Sequence, residues 1–99
     1  MMKKLSTSEV KMLLNEGKSV NIIDVREVEE VKEGMIPGAI HIPLGLLEFR
    51  LHELDKEKDY IIVCRSGGRS ARAYELLESR GYTVTNMTGG MLDWNGETK

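Results

Sequence analysis

The chain holds one cysteine, two prolines and one tryptophan in 99 residues, and only 5% of it is aromatic. A single cysteine excludes an intramolecular disulfide, so any redox chemistry must involve an outside thiol or a sulfur adduct. Long apolar runs are also missing, which leaves no candidate transmembrane span. Met1-Met2-Lys3-Lys4-Leu5-Ser6 is basic but has no apolar core of signal-peptide length, and a cytoplasmic protein is expected. Neither sign of charge dominates. The formal net charge of -2 gives no reason to expect nucleic acid or an anionic membrane as partner. No internal repeat, low-complexity tract or linker breaks the chain, and its length suits one domain over residues 1–99.

What is present is an alternation of short β-branched runs with amphipathic ones. Ser6-Thr7-Ser8-Glu9 has the form of a capping box, and Val10, Leu13 and Leu14 follow it at helical spacing as far as Gly17. Val20 to Val25 reads as a buried strand, and Glu27 to Glu33 as a short acidic helix. Pro37-Gly38 marks a turn before a brief strand over Ala39 to Ile42, which Pro43 ends. Leu44, Leu47, Leu51 and Leu54 predict a helix with one apolar face. Tyr60 to Cys64 is the most clearly buried strand. A helix over Ala71 to Arg80, a strand over Thr83 to Met87 and a short final helix over Met91 to Trp94 complete the pattern. Strands separated by helices imply an α/β fold with a parallel sheet covered on both faces. Ligands of such sheets sit beyond the carboxyl ends of the strands, where Cys64 falls.

The densest chemistry lies in Cys64-Arg65-Ser66-Gly67-Gly68-Arg69-Ser70. A strand delivers the thiol into a glycine-bearing loop that ends at a helix N-terminus, where unpaired N–H groups favour an anion. Free cysteine has a pKa of about 8.5, and helix N-termini and nearby cations lower it. Gly67 and Gly68 let successive N–H groups converge on one point, enough to hold a thiolate, a persulfide or a small oxyanion. Arg69 is placed to orient an anion bidentately. Arg65 is expected at the entrance, Ser66 and Ser70 as hydroxyl donors, and Ser70 also as a helix cap. A lone cysteine ending a buried strand is more often an apolar filler. Two arginines beside a filler have no purpose, so the nucleophile is the better reading. Nucleotide binding is weak, because neither the P-loop lysine pattern nor Gly-x-Gly-x-x-Gly is present.

This loop resembles the active-site loop of the rhodanese family of sulfurtransferases. Ile23-Asp24-Val25-Arg26-Glu27 is similar to that family's first signature, and Gly34-Met35-Ile36-Pro37-Gly38-Ala39-Ile40-His41-Ile42-Pro43-Leu44 to its second. Gly89-Gly90 followed by Trp94 is similar to the closing one. The four segments stand in the family's order from about Ile22 to Trp94. The resemblance implies five parallel strands, with helices on both faces, and a persulfide carried on Cys64. It also implies a donor such as thiosulfate, and cyanide or a cellular thiol as acceptor; the alternative is a sulfur-relay or binding module whose acceptor is another protein's cysteine. No cofactor is expected. Cysteine phosphatases of similar arrangement carry five residues between cysteine and arginine. Cys64 and Arg69 enclose four, and a shorter loop suits a sulfur atom better than a phosphoryl group.

Asp24 is a supporting candidate. It could tune the thiol, but holding its own turn by bonding backbone N–H groups or Arg26 is the simpler role. Arg26, Glu27 and Glu30 read as a surface charge cluster. Met35 stands where the family commonly has histidine. Met35, Leu46, Phe49 and Met91 are weak candidates for apolar walls around the cysteine. Gly89-Gly90 is expected to bring the chain close to the cysteine loop, and Trp94 to pack the C-terminal helix. His41 and His52 are separated by a helix and make no metal site.

Overall fold

The computed structural model describes residues 1–99. Five strands, β1 (Lys4–Leu5), β2 (Asn21–Asp24), β3 (Ile40–His41), β4 (Asp59–Val63) and β5 (Thr83–Met87), form one sheet in the order β1-β5-β4-β2-β3. Every neighbouring pair is parallel. Parallel neighbours require crossover connections, so the helices must lie on the sheet faces. The alternation along β4 shows how both faces are filled. Tyr60, Ile62 and Cys64 join a core with Ile23, Leu47, Ala73, Tyr74 and Leu77, beneath α3 (Leu44–Leu47) and α4 (Gly68–Ser79). Ile61 and Val63 join Val10, Ile22, Ile36 and Met87 beneath α1 (Thr7–Asn15), with Leu13, Leu14 and Trp94 packed around them. The α/β sheet covered on both faces is therefore as expected.

Strand β1 has no β-branched residue and leaves no mark in the apolar pattern. Pairing creates it: the Asn86 N–H donates to the Lys3 carbonyl and the Thr88 N–H to the Leu5 carbonyl, both at 2.9 Å. The capping box at α1 forms as expected, with the Glu9 N–H donating to Ser6 Oγ at 3.1 Å and the Ser6 N–H to the Glu9 carboxylate at 2.8 Å. Gly17 follows the end of α1 at φ 74°.

Three helices differ from expectation. The helix expected across Leu44 to Leu54 stops at Leu47 and continues as 3-10 turns over Glu48–Glu53, with Arg50 outside helical geometry at φ -117°. A step of three, as from Leu51 to Leu54, keeps one face in either winding, and the step of four from Leu47 to Leu51 falls across the change, so spacing does not reveal it. The acidic helix shrinks to α2 (Val28–Val31), which buries no residue and so gains little from packing. The final helix is a 3-10 turn over Met91–Asp93. No helix is long and apolar enough to cross a membrane.

The register aligns Asp24 of β2 with Val63 of β4. The segments following Asp24 and Val63 therefore emerge side by side at the carboxyl edge of the sheet, and the second begins with Cys64.

Candidate active site

Cys64 is the first residue beyond β4, and α4 begins at Gly68. The chain turns this sharply because Gly67, at the helix N-cap position, has φ 111°, a left-handed conformation that costs glycine little. Its N–H consequently points back at Cys64 Sγ, 3.0 Å away. The thiol lies 3.4 Å from Ser70 Oγ and, when protonated, donates to it, while the Ser70 hydroxyl donates to the Gly67 carbonyl at 3.1 Å. On ionisation of the thiol the hydroxyl need only rotate to donate to sulfur instead. Ser70 is thus not the helix cap expected of it. It sits inside the first turn of α4, and its hydroxyl serves the sulfur.

Cys64 is only 1% exposed and forms the floor of the loop. Burial pushes its pKa up. The Ser70 hydroxyl and the N–H groups of Ser70, Gly67 and Ser66 together outweigh that effect and hold the pKa below the ordinary cysteine value. More thiolate is therefore present near neutral pH than on a free cysteine. Ser70→Ala is expected to move the pH profile of iodoacetamide alkylation to higher pH and to slow alkylation near neutrality roughly tenfold, the worth of a hydrogen bond to a charged group. An unaltered profile would show that the N–H groups suffice without the hydroxyl.

Arg69, expected to orient an anion, is instead engaged by a carboxylate. Its two terminal nitrogens donate to the two carboxylate oxygens of Glu30, at 2.6 and 2.7 Å. The Arg69 guanidinium holds the Glu30 carboxyl at about 2, so the pair is fully ionised near neutral pH. Arg65 and Ser66 are exposed at the rim, and Gly68 opens α4.

The expected surface cluster of Arg26, Glu27 and Glu30 is also revised. Arg26 is buried, at 6% exposure, because it folds back on Asp24, which is 0% exposed. Its Nη2 lies 2.8 Å from Asp24 Oδ2 and 2.8 Å from the Gly34 carbonyl, while Asp24 Oδ1 accepts from the Arg26 backbone N–H at 3.0 Å. Asp24 therefore holds the turn after β2 and makes no bond to Cys64. Glu27 is the exposed member of the three, and its N–H donates to Glu30 in a capping box over α2.

A strap from the end of β5 supports the loop from the other side. The Met91 N–H donates to the Cys64 carbonyl at 2.8 Å and the Leu92 N–H to the Arg65 carbonyl at 2.9 Å. Gly89-Gly90 brings this strap in, as expected. Met91 also lines a surface groove beside the loop with Leu92, Trp94, Arg65 and Glu30. Leu46 and Phe49, expected as walls, are exposed and do not line that groove. Met35 lines a separate depression, and its backbone exchanges hydrogen bonds with Lys99 at 2.9 and 3.3 Å. His41 Nε2 lies 2.7 Å from the Arg26 carbonyl, and His52 is exposed. No three His, Cys, Asp or Glu side chains are placed to hold a metal ion.

Sequence reasoning missed two parts of this site. The sequence places Glu30 in a surface charge cluster, and only the fold joins it to Arg69, 39 residues away. The strap amides carry no side-chain signature at all, apart from the glycines that precede them.

This sheet, its helices on both faces and a cysteine loop at its carboxyl edge define a rhodanese-like α/β fold. A rhodanese-like domain protein from Staphylococcus aureus superimposes with a TM-score of 0.94 at 41% identity, covering 99% of this chain and 97% of that one. The chain belongs to the rhodanese-like domain family, whose model matches residues 6–97. It is 44% identical over 97 residues to the protein named putative sulfurtransferase YtwF of Bacillus subtilis, covering 98% of this chain and 94% of that protein. It is also 41% identical over 96 residues to the putative sulfur carrier protein YrkF of the same organism, covering 96% of this chain and 52% of that protein.

Proposed function

We propose that the protein is a sulfurtransferase of the thiosulfate type, which moves sulfane sulfur through a persulfide on Cys64. The observation that carries this reading is the convergence of Gly67 N–H and Ser70 Oγ on a thiol whose pKa is lowered at a helix N-terminus. The Cys64 thiolate attacks the outer sulfur of thiosulfate. The sulfur–sulfur bond of the donor breaks, and sulfite leaves with its electron pair. The outer sulfur of the new persulfide projects about 2 Å from Sγ, the length of an S–S bond. The N–H groups of Ser66, Gly67 and Ser70, which already act on Sγ, and the other amides of the loop over residues 65–70 would stabilise its charge. Attack by cyanide or a thiolate on the outer sulfur then returns the electron pair to Cys64. Two half-reactions through one covalent intermediate require ping-pong kinetics.

Arg65, rather than Arg69, is the cation free to meet an anionic donor, because Glu30 occupies both terminal nitrogens of Arg69. That occupancy also weighs against a phosphatase, in which the loop arginine must clasp the phosphoryl oxygens. Resemblance to a sulfur carrier favours one variant of the reading, in which the physiological acceptor is another protein's cysteine. Intact-mass measurement after incubation with thiosulfate tests the common core. A gain of one sulfur atom is expected, reversed by cyanide with release of thiocyanate. No adduct from thiosulfate or from any persulfide donor would overturn the reading.

A further inference from the structure

The groove beside the cysteine loop, about 460 Å³ in volume, is larger than a thiosulfate ion needs. Its walls have opposite character. Glu29 and Glu33, from α2 and the turn after it, give it an acidic wall, Met91, Leu92 and Trp94, from the strap and the segment after it, an apolar one, and Arg65 of the cysteine loop also lines it. Charges elsewhere around it are already cancelled. Arg26 is engaged by Asp24, and Glu30 by Arg69. Glu29, Glu33 and Arg65 take part in no ion pair. The groove therefore offers an occupant two free carboxylates and one free guanidinium. A small dianion gains from Arg65 alone and is repelled by the acidic wall.

The apolar side is not a closed pocket either. Leu92 is 63% exposed. A small ligand held in the groove would leave it wet, whereas a macromolecular surface would cover it. Opposite charges laid along such a surface speed encounter and set register more than they add affinity.

We infer that this groove docks a protein thiol that receives the sulfur from Cys64, and that the segment carrying this thiol bears basic and apolar side chains. The basic groups pair with Glu29 and Glu33, the apolar ones cover Leu92 and Trp94, and the thiol arrives beside Arg65. This rests on the persulfide reading. The partner's thiolate attacks the outer sulfur and a new sulfur–sulfur bond forms. The bond to Cys64 Sγ breaks, and its electron pair remains on Cys64 as thiolate. The partner's own proton has gone to solvent, and no external oxidant or reductant is needed.

The test uses wild-type protein first loaded with thiosulfate, then mixed with two synthetic peptides. Each holds one cysteine and the same leucines, flanked by lysines in one peptide and by glutamates in the other. Transfer is followed by mass. The basic peptide should accept sulfur about tenfold faster at low ionic strength, and added salt should erode that advantage. In the double variant Glu29→Gln, Glu33→Gln, the rate with the basic peptide should fall about fivefold, while KM for thiosulfate falls about twofold as repulsion is relieved. Opposite signs are diagnostic, since damage to the fold would impair both. Equal rates for the two peptides would overturn the docking inference and leave the sulfurtransferase reading standing. So would a low-molecular-weight thiol such as glutathione that matches the basic peptide and loses as much in the double variant, which would make the groove a small-molecule site. Failure of the wild type to load sulfur overturns both together.

Discussion

Cys64→Ser is expected to abolish sulfur loading and to lower thiosulfate turnover on the order of 10³-fold or more, as removal of a covalent nucleophile does elsewhere. The substitution is chosen because it disturbs the surroundings so little. A hydroxyl can still accept from the Gly67 N–H and exchange hydrogen bonds with Ser70, the two groups that now meet the sulfur. The helix N-terminus and the rim arginine remain in place. What is lost is ionisation: the loop lowers the pKa of a thiol, but an alcohol starts so far above neutrality that the same donors leave it protonated. An oxygen in that position cannot supply the sulfur–sulfur bond on which the carrier step depends. Tm should stay within a few degrees of wild type, because a buried polar atom is exchanged for another that is equally well bonded. Turnover that survived this change would move the chemistry away from Cys64 entirely. Loss of turnover together with a large fall in Tm would assign Cys64 a packing role as well.

The loop's amide geometry was legible from residues alone, because it is local. An apolar run, a cysteine, two glycines and a helix follow one another within a few residues, and backbone physics forces the N–H groups inward. The fate of its arginine was not. Spacing places Arg69 at the helix start but says nothing about what approaches from outside, and the fold brings α2 against it. The two carboxylate oxygens of Glu30, 2.6 and 2.7 Å from Arg69, satisfy the guanidinium more fully than a transient donor would. Arg26 was misplaced for the same kind of reason. Its pairing with Asp24, two residues back, was legible, but its burial was not, because flanking acids made it look solvated. Four of the five strands were visible as apolar runs. The two-residue β1 was not, since its existence depends on the edge that β5 offers it.

Electrostatics around the site then divide into two zones. Near the sulfur, neutral donors carry the stabilisation: N–H groups and a hydroxyl that lower the thiol pKa without adding formal charge. Farther out, formal charges are paired off at Asp24–Arg26 and Glu30–Arg69, and what remains unpaired along the groove is two-thirds acidic. A site arranged this way stabilises a thiolate or persulfide regardless of what approaches it. In the proposed reaction, selection among donors and acceptors falls to Arg65 and to the groove.

Gly90→Ala is expected to be the most destabilising single-methyl addition in the protein, at about 3–5 kcal/mol, combining backbone strain with overpacking. Gly90 has φ 62° and ψ -164°, a region essentially restricted to glycine. A Cβ there would also lie 2.7 Å from the Cys64 carbonyl oxygen and closer still to the Arg65 carbonyl. Neither obstacle is a flexible side chain that could swing aside. Both carbonyls are held in place by the strap itself, through the Met91 and Leu92 N–H groups. Relief therefore requires pulling the strap away, which frees two carbonyls beside the Cys64 thiol and loosens the loop that holds its donors. For a domain of this size such a loss lowers Tm by at least about 15 °C. Gly38→Ala separates the two causes: Gly38 has φ 83°, but a Cβ there meets nothing within 4 Å, so strain acts alone. It should cost only about 1–2 kcal/mol. Thermal unfolding followed by circular dichroism gives the comparison, and equal losses at the two positions would show that close packing of the strap on the cysteine loop contributes nothing. If the strap does support the loop, Gly90→Ala should also slow Cys64 alkylation below the unfolding transition, and Gly38→Ala should not.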